Sequence, residues 1–142
     1  EGSDFDAAVE QYNMALLQHP DDLDLKLRLK DVKQKASLQH MRKAQELISK
    51  KYFKEAIEEL QVAVAFYSSN HRAIELIDQV KKMKEAFYYA QKGNTQIKTG
   101  NFENARKSFQ RALELDPENE EAKVAFNKYK KIAEDLPEYR LD

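Results

Sequence analysis

The chain has 142 residues, 24 Lys plus Arg against 25 Asp plus Glu, and no cysteine. That length suits one ordinary domain, and balanced charge excludes a global field drawing the molecule to nucleic acid or an anionic membrane. The absence of thiols excludes disulfides, thiolate nucleophiles and sulfur-ligated zinc, and leaves the redox compartment open.

Only three glycines and three prolines interrupt a chain rich in Ala, Leu, Lys, Glu and Gln, residues that lose little on entering a helix. In chain order, helices are expected near 4–18, 22–50, 53–67, 71–99, 102–115 and 118–134. The breaks carry turn and capping residues: His19-Pro20-Asp21-Asp22, Lys50-Lys51-Tyr52, Ser68-Ser69-Asn70, Thr99-Gly100-Asn101 and Asp116-Pro117-Glu118. Apolar stripes at helical spacing run through Leu25, Leu29, Val32 and Ala36, and through Leu76, Val80, Met83, Phe87 and Ala90. Residues 136–142, with Pro137, read as a fraying tail or the start of a linker. No apolar run reaches the roughly 18 residues of a membrane span, and the acidic start is not an export signal. A first residue other than Met reads as a piece of a longer protein.

Three windows share one skeleton. Phe5, Ala8, Tyr12 and Ala15 correspond to Phe53, Ala56, Leu60 and Ala63, and again to Phe102, Ala105, Phe109 and Ala112, at separations of 48 and then 49 residues. Pro20, Ser68 and Pro117 close the windows at one offset. Small residues at 8, 56 and 105 are expected where antiparallel helices cross, because they let the axes approach.

This pattern resembles the tetratricopeptide repeat, in which Ala, three residues and Phe precede a Pro that ends the second helix. Residues 86–119 carry the strongest likeness, with Tyr89 and Gly93 in the first helix; 37–69 form a degenerate copy, and 1–20 a half repeat, with 118–134 as a closing helix. The resemblance implies an all-α fold over 1–135, a helical hairpin array or alpha solenoid. The family period is about 34 residues, so each unit here has about 14 or 15 extra. Without Gly or Pro in 21–51 or 70–92, these extend the first helices by close to four turns, which preserves the phase of the apolar face. Short and long helices should alternate.

No nucleophile with its base, and no metal cage, assembles from the sequence. His19, His40 and His71 lack a ligand partner at helical spacing, so helix-end or surface roles are expected. Glu58-Glu59 and the acidic run Glu114 to Glu121 read as solvated faces, and Gly93 and Gly100 as packing and turn glycines rather than a phosphate loop. No enzyme activity, cofactor, metal or small-molecule substrate is therefore expected. A basic stretch over 26–54 (Lys26, Arg28, Lys30, Lys33, Lys35, Arg42, Lys43, Lys50, Lys51, Lys54) could meet phosphates, but its residues are scattered round the helix and no aromatic platform accompanies them. Nucleic-acid or anionic-surface binding is the weaker reading.

The family resemblance implies a scaffold that holds a protein or peptide partner in a groove lined by the first helices. Carried over residue by residue, it selects Leu38, Met41, Gln45 and Ile48 on one long helix, and Phe87, Ala90, Asn94, Ile97 and Lys98 on the next. Lys92-Gly93-Asn94 is similar to the co-chaperone repeats that clamp a C-terminal carboxylate, but Ala90 and Ala125 stand where that clamp needs Lys and Asn. A looser likeness, on the long charged helix carrying Ala36-Ser37 and His40, is to the amino-terminal repeats of bacterial secretin-type proteins, which would imply a secretion or pilus assembly in the periplasm; otherwise a cytoplasmic setting is expected. The alternative is self-association through an uncovered apolar face of helix 4–18.

Overall fold

The structure, a computed structural model, describes residues 4–135, with side chains to residue 130. It comprises α1 (Phe5–Gln18), α2 (Leu23–Ser49), α3 (Phe53–Phe66), α4 (His71–Lys98), α5 (Phe102–Leu115) and α6 (Glu120–Asp135), with no strand among the described residues. The fold is an all-α array of tetratricopeptide type. Helices of 14 residues alternate with ones of 27, 28 and 16. Each end lies within two residues of the position expected from the sequence. The expected tail at 136–142 lies outside the described residues.

The repeat is written into the helix ends. Asp22, Asn70 and Asn119 precede α2, α4 and α6, and each offers Oδ1 to a backbone N–H three residues on: Leu25 at 3.1 Å, Ala73 at 3.1 Å and Ala122 at 2.9 Å. Such caps satisfy donors that the first turn leaves free. At the far ends of α2 and α4, Tyr52 N–H donates to Leu47 O and Lys51 N–H to Ile48 O, while Asn101 N–H donates to Gln96 O and Gly100 N–H to Ile97 O. This is the Schellman closure, which needs a left-handed residue: Lys51 has φ 66° and Gly100 φ 78°.

The chain divides into two compact units, Glu1–Val80 and Lys81–Asp142, so α4 contributes to both. In the first, α2 packs on both α1 and α3. Its core joins Ala44, Ala56, Leu60, Ala63, Ala73, Leu76 and Val80. Ala56 and Ala63 have no exposed surface, as expected for residues at a helix crossing, and burial of Leu60 contributes about 2 kcal/mol. Ala8 differs: it is half-buried, and Val9 is the buried residue of α1, because α1 meets α2 along a single seam. A polar tie crosses this core, with Asn70 Nδ2 donating to Ser37 Oγ at 2.8 Å and Ser37 Oγ donating to Ala63 O at 2.6 Å.

His40 departs from the expected surface or helix-end role. Its ring is buried and stacks on Phe66, with centroids 5.5 Å apart. Nδ1 faces Glu59 Oε2 at 2.5 Å and Nε2 faces Asp6 Oδ2 at 2.8 Å. One α2 side chain thus links α1 and α3, and Glu59 belongs to this link rather than to a solvated face. A lone imidazole in a charged helix gives no sequence sign of this, because both partners come from other helices.

In the second unit, α5 packs on α6, and Ala86, Ala90, Ala105, Phe109, Ala112 and Ala122 form the core. Ala105 is fully buried, as its place in the repeat requires. Ser108 Oγ donates to Gln96 Oε1 at 2.6 Å, tying α5 to α4.

Candidate functional site

The second unit has a groove of about 660 Å³ between α4 and α6, closed by the start of α5. From α4 come Gln91, Asn94, Thr95, Ile97 and Lys98, spaced three and four apart so that they share a face. From α6 come Glu120, Glu121, Val124, Ala125, Lys128 and Tyr129, with Phe102 from α5. The rings of Phe102 and Tyr129 lie 6.3 Å apart and wall one end.

Gln91 Nε2 donates to Glu121 Oε2 at 3.0 Å, bridging α4 to the first turn of α6. Lys98 and Lys128 lie about two turns farther along their helices, so the groove has carboxylates at one end and ammonium groups at the other. Val124 is 64% exposed between them, an apolar contact point open to solvent. Outside the groove, Lys123 is held above the usual lysine range by its hydrogen bond to Glu118. The groove therefore combines an apolar floor with convergent polar groups and opposite charges at its two ends.

Of the residues selected from the sequence, Asn94, Ile97 and Lys98 line this groove. Ala90 does not: it is fully buried in the second core, where its small side chain serves helix packing. Phe87 is half-buried outside the groove lining. In the first unit, Met41 and Ile48 pack against the core, while Leu38 and Gln45 are exposed. The α6 contribution was missed because 118–134 reads as a closing helix. The signal was present, since aligning Ala125 with a clamp position already makes this helix the next groove wall.

No group of three or more His, Cys, Asp or Glu is placed to hold a metal ion among the described residues, and no described helix is long and apolar enough to cross a membrane.

Residues 86–119 match the tetratricopeptide repeat family model, the same span that the sequence pattern marks. Residues 86–119 are thus a tetratricopeptide repeat, and with the tetratricopeptide-like array of six described helices around them they support a protein–protein interaction module. The match says nothing of a likeness to secretin-type proteins. No curated protein matches the chain.

Proposed function

We propose that the chain holds a segment of a partner protein in the groove between α4 and α6. The observation that carries this is the polarised lining: Glu120 and Glu121 at one end, Lys98 and Lys128 at the other, and exposed Val124 between. A segment with a basic start, an apolar middle and an acidic end matches it in charge and burial. Peptides selected on the purified protein from a random library test the reading. They should bind wild type, lose most affinity to Val124→Glu and Asn94→Arg variants of unchanged helicity, and shift amide resonances at 91–98 and 121–129. Selected peptides that bind both variants as they bind wild type would remove the groove.

A second reading, self-association, has its own observation. Met14 and Leu17 on α1 and Leu23 and Leu27 on α2 are 61%, 83%, 72% and 67% exposed, a concentration of apolar surface on one hairpin. Sedimentation of wild type beside Leu17→Glu separates the two: a dimer lost in the variant supports self-association, and a monomer at all concentrations rejects it. A place in a secretion or pilus assembly rests on the sequence likeness alone, and the full-length gene product decides it by the presence or absence of a secretin core.

A further inference from the structure

The basic stretch of α2 is not uniform. Arg28 pairs with Asp24 at 2.8 Å and Lys35 with Asp31 at 3.0 Å, each within its own helix. Lys26, Lys30 and Lys33 make no ion pair among the described residues, and they are the three that line one cavity, of about 200 Å³, with Leu29 and Tyr67. Positions i, i+4 and i+7 share a helix face, and like charges so placed destabilise the helix they stand on. Tyr67, at the end of α3, is half-buried, and its hydroxyl makes no hydrogen bond among the described residues. The sequence expectation of scattered lysines without an aromatic neighbour is therefore corrected: tertiary packing of α3 on α2 brings the ring to the three lysines.

We propose that the Lys26–Lys30–Lys33 face with Tyr67 is a docking site for an extended acidic segment of a partner polypeptide. The inference rests on the interaction-module reading but uses a surface of the first unit, separate from the α4–α6 groove. Along the helix the three ammonium stems are spaced by about 6 Å and then about 4.5 Å. Carboxylates on alternate residues of an extended chain repeat every 6.5 to 7 Å or so, which flexible lysine stems can match. Tyr67 supplies a phenolic donor and a low-dielectric wall that strengthens the charge contacts. The three stems span about 10 Å of helix axis, and the nearby Asp24 and Asp31 are each paired with another basic residue, Arg28 and Lys35.

Fluorescence anisotropy at about 50 mM salt tests this with a labelled peptide of alternating Glu and Ser carrying three glutamates, its Gln counterpart, and a labelled oligothymidylate. Wild type should bind the Glu peptide and not the Gln peptide. Lys30→Gln with Lys33→Gln should weaken binding about tenfold, whereas Lys81→Gln with Lys84→Gln, an equal charge change in the second unit, should leave it within about twofold. Tyr67→Phe should weaken it less than the lysine pair. The proposal is overturned by no binding of the Glu peptide, by equal losses in the two lysine pairs, or by tighter binding of the oligothymidylate. None of these outcomes touches peptide selection on the groove, where Val124→Glu decides separately.

Discussion

Gly93 on α4 lies against the ring of Phe109 on α5 so closely that a Cβ on the glycine would come within 2.7 Å of Phe109 Cε1. Phe109 is fully buried, so its ring has no free direction in which to retreat. Gly93→Ala gains up to about 1 kcal/mol of helix propensity and costs about 1 to 3 kcal/mol of overpacking. A net loss of stability is expected, read as a lower midpoint in urea. An unchanged or raised midpoint would show that α4 and α5 can part without cost.

Lys51 and Gly100 occupy one position of the repeat, both left-handed, but only one is glycine. Lys51→Gly should stabilise the first unit by about 0.5 to 1 kcal/mol, because the strain of a Cβ at positive φ is removed. Gly100→Ala should cost about 1 kcal/mol through conformation alone, as nothing lies within 4 Å of the added methyl. Thermal denaturation of the two variants should move in opposite directions.

The tie from Asn70 through Ser37 to Ala63 O predicts an ordering of variants. Asn70→Ala removes both the α4 cap and the donor to Ser37, and about 1 to 3 kcal/mol should be lost. Asn70→Asp keeps an acceptor for Ala73 N–H but sets a carboxylate oxygen against Ser37 Oγ, whose own O–H is committed to Ala63. Asp should therefore fall below Asn in chemical denaturation. Asp matching Asn in midpoint would mean that the Ser37 contact carries no energy.

His40→Ala removes a ring that contacts Phe66, Asp6 and Glu59. A loss of about 2 kcal/mol or more is expected from the lost packing and hydrogen bonds. The link to α1 is isolated by a double-mutant cycle with Asp6→Ala, which should show coupling of about 0.5 to 1 kcal/mol. Additive effects would mean that α1 is held by its apolar seam alone.

Helix positions, the alternation of 14-residue and longer helices, and the two kinds of helix end were legible because each depends on residues within one or two turns. The alanines at 56 and 105 were legible for a related reason: their recurrence names a crossing before the partner helix is known. The groove was half legible. Asn94, Ile97 and Lys98 follow from the family resemblance carried onto α4, but Ala90, one turn upstream, belongs to the core. The rotation of α4 that separates these roles is set by the fit of α5 and α6, which spacing on α4 does not contain.

Sequence by itself determined where the chain is helical, where it turns, and that a repeat of 48 or 49 residues organises it, since caps, left-handed closures and apolar spacing act over short range. Tertiary structure alone decided the meetings: His40 with Asp6 and Glu59, Gln91 with Glu121, and Tyr67 with Lys26, Lys30 and Lys33. Those residues lie 19 to 41 positions apart, and which of them face each other depends on how close-packed helices seat on one another rather than on any local preference.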